Sequence, residues 1–379
     1  TAGIFQLEGG GMTGWMVKMQ PSTLDHVIAM VALYRPGPMQ FIPSYIERMN
    51  GREEVTYRHP LMEPIFKSTY GIPIYQEQIM RTSVDLGGYS GSESDNLRKA
   101  ISKKKQKEIV RHRSMFIEGC VKNGIERNIA SAIFDDWEEF ARYGFNKSHA
   151  AAYGTIAVQT AYLKAHYPAE YMTALMSVFY GDTAKVSHYA ANAREMGIEI
   201  LPPDVNSSEW DFAIEDLPDG KQAIRFGFGA IKNVGHGPVD ALIEAREGKK
   251  FTDINNFIRT VDLRAIGKRA LESMVKVGAL DEYGSRSSLL GSLDRIISVS
   301  GSHFKALADG QMSLFGAATG TTDTITIPPG DEIDQRTELN WERELLGIYV
   351  SDHPLSSYQK TLKKIISYDS TTLPEANHE

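Results

Sequence analysis

Eleven residues, Tyr143-Gly-Phe-Asn-Lys-Ser-His-Ala-Ala-Ala-Tyr153, separate two long helical patterns. The first pattern runs from Asn128 to Arg142. The second places Ala, Gln, Tyr and Leu at helical spacing. Such a junction imposes helix, tight break, helix. Gly144 breaks the first helix, and Asn146 or Ser148 caps the second. A helix N-terminus carrying Lys147 and His149 suits an anion, most simply a phosphate. The plain alternative is a polar interhelix loop.

A second cationic cluster favours the phosphate. Residues Asp95 to Arg113 hold eight Lys or Arg against two acids, Asp95 and Glu108. The whole chain carries a net charge of -7, so the cations are concentrated locally. Arg98 and Lys99 lie at helical spacing from Ser102 and Lys103, and one face then offers several donors to a polyphosphate. A solvated charged face is the plain alternative here.

The 379 residues, 42% hydrophobic, suffice for two or three domains. The single cysteine, Cys120, sits in a helical apolar pattern and reads as a small core residue; it excludes an internal disulfide and a zinc site built on paired cysteines. No signal peptide and no apolar run of spanning length occurs, so a soluble cytoplasmic protein without membrane contact is expected. The start at Thr1 suggests a piece of something longer.

In chain order, Ile4 to Glu8 reads as a short extended piece before a glycine turn. Leu24 to Leu33 reads as a helix stopped by Pro36, which holds Arg35 in a fixed corner. The corner is structural or, more sharply, touches phosphate or template. Phe41 to Asn50 is a short helix. Pro73 turns the chain into a helix bearing Gln76, Glu77 and Gln78; at least one of the three points inward or at a ligand. Ala157 to Tyr180 is an apolar helical segment broken at His166-Tyr-Pro, and Val186 to Met196 is another helix. A strand follows near Ile198, then a hairpin around Asp219-Gly220. Val234-Gly-His-Gly237, with Pro238 and Arg246, reads as a helix-hairpin-helix between two short helices. There Gly235, His236 and Gly237 approach a DNA phosphate. A looser copy runs from Leu263 to Ala279, with Lys268 and Arg269 in its hairpin. A helix can be drawn from Leu289 to Ala308. Beyond it, Gln311-Met-Ser-Leu-Phe315 puts Leu314 and Phe315 side by side between glycines, a short plug for a partner's pocket. Thr319 to Pro329 reads as a linker, and Leu339 to Tyr349 as a helix.

Several chemistries are missing. There is no Gly-x4-Gly-Lys-Ser/Thr phosphate loop, which disfavours a metabolic kinase. There is no His-Glu-x-x-His, no dinucleotide fingerprint at Gly227-Phe-Gly229, and no acidic pair suited to clamp a metal.

Together these residues resemble the alpha subunit of bacterial DNA polymerase III, the C-family replicative polymerases. The resemblance rests on Phe5-Gln-Leu-Glu8, Ala32-Leu-Tyr-Arg-Pro-Gly-Pro38, Thr69-Tyr-Gly71 with Tyr75-Gln-Glu-Gln78, and Gly88-Tyr-Ser90. It continues through Leu97-Arg98 with Lys103-Lys-Lys105, Tyr143 to His149, His166-Tyr-Pro-Ala-Glu170 and Leu201-Pro-Pro-Asp-Val-Asn206. These occur in family order and cover residues 4 to 355. Departures are Gly9 for Ser, Lys99 for a second Arg, and Ile101-Ser102 for Met-Gly.

The resemblance implies a mainly α fold with a small β-hairpin, a fingers domain and a tandem helix-hairpin-helix module. Its expected divisions are a fingers core over 1–205, a hairpin segment over 206–228, the tandem module over 229–285, a helix and clamp peptide over 286–316, and a linker over 317–379 leading to an oligonucleotide-binding fold. It implies that Arg98, Lys99, Lys103 and Lys147 grip the incoming dNTP, with Tyr143, Asn146, Ser148 and His149 completing that site. Lys104, Lys105, Gly235, His236, Gly237, Lys268 and Arg269 would contact primer–template DNA. Gln311, Met312, Ser313, Leu314 and Phe315 would bind the sliding clamp, the beta subunit, and other replicase subunits would be partners. The catalytic carboxylates and Mg2+ of the complete polymerase are expected upstream of Thr1, which leaves no catalytic or metal residue here and an inactive fragment. The rival reading is a non-catalytic DNA-binding and clamp-binding adaptor.

Overall fold

Met12, Met16 and Met19 recur on one helical face and are buried, and they draw the glycine run into helix α1 (Gly10–Met19). The extended piece expected over residues 4–8 is not formed. Those residues make turns instead, with the Ile4 and Leu7 N–H groups donating to the Thr1 and Ile4 carbonyls. The structure, a computed structural model, describes residues 1–140, 144–308, 324–358 and 365. The chain divides into two units, Thr1–His166 and Tyr167–Glu379. The division falls inside the 1–205 stretch expected as one fingers core.

In the first unit, α2 (Leu24–Leu33) is capped by Thr23, whose hydroxyl accepts the His26 N–H, and it stops before Pro36 as expected. The short α3 (Ile42–Met49) follows, then α4 (Glu63–Phe66), α5 (Gln76–Asp85), α6 (Gly91–Ser102) and α7 (Gln106–Lys122). The unit ends with α8 (Arg127–Phe140) and α9 (Lys147–His166). One core joins α1, α2 and α3 to Ile72, Ile74, Tyr75 and the inner face of α9. A second gathers Leu97, Ile109, Phe116, Cys120, Phe134 and Trp137 from α6, α7 and α8. Cys120 is fully buried there, the expected core role, and burial pushes its thiol up to about 11.

The second unit begins with α10 (Pro168–Val178) and α11 (Thr183–Glu195). Its sheet has the order β1 (Glu199–Leu201), β3 (Gln222–Arg225), β2 (Ala213–Asp216). β2 and β3 form the expected hairpin, with Ile214 opposite Ile224; β1 joins in parallel, with Ile200 beside Ile224. Then come α12 (His236–Arg246), α13 (Ile254–Thr260), α14 (Leu263–Ile266), α15 (Lys268–Lys276), α16 (Arg286–Gly291), α17 (Leu293–Ala308) and α18 (Gln335–Leu345). The architecture is therefore mainly α with a small sheet, as expected.

Two features of this unit are not legible in the sequence. The described part of the expected linker is docked: Ile325 is buried in the core, and its N–H donates to Asn255 Oδ1 at 2.6 Å. Burying Ile325 and Ile327 outweighs the Thr/Pro-rich composition. The unit also encloses charge. Arg286 donates to Glu342 from both Nη atoms at 3.2 Å and to Asp281, and Glu342 further accepts the Val350 and Ser351 N–H groups. Burial opposes the Arg286 charge, but the facing carboxylates of Asp281 and Glu342 hold the guanidinium above its ordinary value.

Candidate functional site

Helix α6 starts with a reciprocal cap: Ser90 Oγ accepts the Glu93 N–H, and the Glu93 carboxylate accepts the Ser90 N–H. About one turn on, Asp95 meets Arg98 and Lys99 at the i+3 and i+4 positions. Arg98 Nη2 and Lys99 Nζ both lie 2.7 Å from its carboxylate. Bonds from Lys99 and Arg98 hold the Asp95 carboxyl below its usual range. Lys103 is not on the helical face expected for it. α6 ends at Ser102, Lys103 caps it, Lys104 takes a left-handed φ of 53°, and Lys105 precedes α7. The three lysines thus form an exposed turn. Lys103 and Lys104 donate their N–H groups back to Lys99 and Ile101 carbonyls and close the helix there.

The loop before α9 is sutured to the start of α5. The Phe145 N–H donates to the Ile74 carbonyl and the Gln76 N–H to the Phe145 carbonyl, a parallel bridge of Tyr75 with Phe145. Gln76 Nε2 donates to the Gly144 carbonyl at 3.0 Å, while its Oε1 accepts a long bond of 3.4 Å from Arg98. Asn146 is the cap: its Oδ1 accepts the His149 N–H at 2.8 Å and the Ser148 hydroxyl at 2.6 Å. The Lys147 N–H is taken by the Glu77 carboxylate at 3.0 and 3.1 Å. Two amides of this helix N-terminus are therefore already satisfied, and an anion there would meet chiefly side chains.

Those side chains form a cationic and aromatic surface. Arg35 lies 4.2 Å over the Phe145 ring, and Lys147 Nζ lies 5.4 Å over the Tyr75 ring. The exposed His149 ring sits between Phe145 at 5.5 Å and Tyr153 at 4.3 Å. Of the three adjacent polar residues, Gln78 is the one that points inward. It is 5% exposed, accepts the Ile74 and Tyr75 N–H groups and donates to Thr69. Arg98, Lys99, Asn146, Lys147, Ser148 and His149 thus lie on two segments that Gln76 touches together. Tyr143 lies outside the described residues. Sequence reasoning left Asp95 and Glu77 out of the site. Asp95 was findable from its i+3 and i+4 cations; Glu77 stood in the flagged polar trio, but its partner 70 residues away left no local signal.

In the second unit, Gly235 precedes α12 in extended conformation, and Gly237 lies in its first turn. His236 stacks on Trp210 at 3.5 Å with an interplanar angle of 19°. The element before this hairpin is a three-residue 3-10 turn, Phe228–Ala230, instead of the expected helix. Arg246 is not offered to a ligand. It is 8% exposed and bonded to the Ser208 carbonyl and the Glu209 carboxylate. The looser copy has helices on both sides, α14 and α15, with Gly267 between them at φ 81°. Only a residue that tolerates positive φ fits that corner. Asn233 Nδ2 donates to Ser273 Oγ at 3.2 Å and ties the two hairpins together. Arg269 lines a hollow of about 160 Å3 beside Asn233 and Lys276. The exposed Lys268 pairs with Asp294 at 2.6 Å. Gln311 to Phe315 lie outside the described residues. Among the described residues no cluster of three His, Cys, Asp or Glu could hold a metal ion, and no helix is long and apolar enough to cross a membrane.

Residues 1–124 match the bacterial DNA polymerase III alpha subunit finger domain, and residues 197–289 match a helix-hairpin-helix motif. Relatives named DNA polymerase III subunit alpha cover nearly the whole chain. The protein of Thermus aquaticus is 45% identical over 94% of this chain and 29% of its own length. That of Vibrio cholerae is 40% identical over 99% of this chain and 33% of its own length. That of Escherichia coli K12 is 40% identical over 97% and 32%. The chain spans about a third of the length of these curated relatives. With finger and hairpin regions both matched and the resemblance sustained from end to end, the chain belongs to the bacterial DNA polymerase III alpha-subunit family.

Proposed function

We propose that this chain is the part of a replicative DNA polymerase catalytic subunit that positions the incoming dNTP, grips the duplex backbone and tethers to the sliding clamp. The observation that carries the reading is the match of the finger family to the residues that bear Arg98, Lys99 and the lysine turn. Arg98, Lys99, Lys103 and Lys147 hold the triphosphate; Tyr143 and His149 line the base and sugar, and Asn146 and Ser148 complete the site. Positioning and charge stabilisation are what nucleotidyl transfer asks of such residues. Asp95 keeps Arg98 and Lys99 paired until phosphate oxygens take its place. His149 rejects ribonucleotides; replacement by Ala raises ribonucleotide incorporation by the full-length enzyme, and unchanged incorporation would sink that role.

Lys104, Lys105, Gly235, His236, Gly237, Lys268 and Arg269 contact DNA phosphates. The paired hairpins make contact without base edges, so this grip is independent of sequence. Gln311 to Phe315 bind the clamp, and other replicase subunits complete the assembly in the cytoplasm. Mg2+ serves the complete polymerase, with no ligand assigned to these residues, and the chain alone does not extend a primer.

The test is fluorescence anisotropy of a labelled primer–template duplex across a salt series, with dATP binding measured in parallel. The expected result is duplex binding that weakens steeply with salt, together with saturable dATP binding. Duplex binding without dATP binding would favour the adaptor reading, and binding of neither would overturn both.

A further inference from the structure

The contacts of Gln76 and Glu77 go beyond what a helix start requires. Gln76 reaches two segments that are otherwise linked in sequence only through α7 and α8. Its amide nitrogen holds the Gly144 carbonyl at 3.0 Å, and its oxygen faces Arg98 Nη1 at 3.4 Å. Its Nε2 also lies 3.5 Å from Ser102 Oγ at the end of α6. The next residue, Glu77, accepts the first N–H of α9 with both carboxylate oxygens. A carboxylate at that position also complements the positive end of the helix. The backbone bridge of Tyr75 with Phe145 runs between these contacts. Gln76 and Arg98 are both half-buried, so the contact between them is partly shielded from water.

We propose that Gln76 and Glu77 are positioning residues, a brace that sets the spacing between the cationic face of α6 and the N-terminus of α9, so that a single polyphosphate is held from both sides. This rests on the triphosphate reading above. Neither residue is assigned contact with the nucleotide. A monophosphate reaches one arm and is indifferent to the spacing; a triphosphate reaches both and depends on it. The brace is thus a device for preferring triphosphates, and its signature is the ratio of two affinities.

The experiment measures dATP and dAMP binding, with magnesium present, to the chain and to Gln76→Ala, Gln76→Glu, Glu77→Ala and Glu77→Gln. Gln76→Ala and Glu77→Ala should each lose about tenfold in dATP affinity and less than about twofold for dAMP, because only the longer ligand needs both arms. Glu77→Gln keeps an acceptor for the Lys147 N–H and should restore most of the preference. Gln76→Glu keeps the acceptor for Arg98 but repels the Gly144 carbonyl, and should fall between. A global loss of structure would lower both affinities together, and the Glu77→Gln and Gln76→Glu variants then carry the comparison. If the unaltered chain prefers dATP and both alanine variants keep its dATP-to-dAMP ratio, the brace is wrong and the triphosphate site stands. If the unaltered chain shows no preference for dATP, the site reading fails and the brace falls with it.

Discussion

At the scale of single residues, Asp95 decides what charge Arg98 and Lys99 present. The three side chains are part-exposed, so the pairing is weak and exchangeable. Asp95→Asn should tighten dATP binding by about threefold, within the range of an exposed ion pair, as read by titration at low salt. Looser binding would mean that Asp95 orients its partners. Glu342 is the opposite case. It is fully buried, with Arg286 and the Ser351 hydroxyl as partners, and Glu342→Ala would strand the Arg286 charge. Unfolding by urea should show a loss of about 3–5 kcal/mol, and a loss below about 1 kcal/mol would argue against an enclosed pair. His26 and His112 give the first unit a pH dependence. Burial holds both imidazoles below their ordinary value of 6.5. His26 Nδ1 accepts the Ser22 N–H, which leaves Nε2 to donate to Tyr70. Both groups are lowered in the folded state, so their contribution is present above pH 6.5 and is lost as the pH falls through the folded values. The melting temperature should drop between about pH 7.5 and about pH 5.5, and a His26→Gln, His112→Gln double variant should flatten that slope.

At the scale of elements, close helix approach depends on residues without a side chain. α2 and α9 meet at Gly154, where a Cβ would lie 2.8 Å from Ile28 Cγ1. α7 passes the Gly87 turn at Gly119, where a Cβ would collide with the Gly87 carbonyl oxygen. Gly119→Ala should destabilise by about 1–3 kcal/mol despite its better helix propensity, and a gain in denaturation midpoint would refute the packing argument. Element boundaries are mostly legible in the sequence. Thr23, Ser90 and Asn146 cap helices as local chemistry dictates, and Pro36 and Pro168 set boundaries where expected. The departures come from competition. The Met12, Met16, Met19 face outweighs the glycines of α1, and the mutual repulsion of the lysines at 103–105 is placed on a turn instead of a helical face.

At the scale of the whole molecule, a chain of net charge -7 gathers eight Lys or Arg against two acids between Asp95 and Arg113. Duplex affinity should therefore fall steeply with salt. Lys103→Ala with Lys104→Ala should reduce the log–log slope by roughly 0.9 for each phosphate that is no longer neutralised. An unchanged slope would place the DNA grip elsewhere. The amino-acid sequence by itself determined most helix starts and stops, which faces are apolar, and the order of family motifs. These depend on neighbours within a few residues and on chain periodicity. Only the tertiary structure decided which polar groups meet: Gln76 with Gly144, Glu77 with Lys147, Arg246 with Glu209, Arg286 with Glu342. Each pair is distant in sequence, and a side-chain hydrogen bond leaves no periodic trace along the chain. Arg246, which in sequence only completes the helix-hairpin-helix pattern, is a buried ion-pair member once folding has brought the Glu209 carboxylate to it.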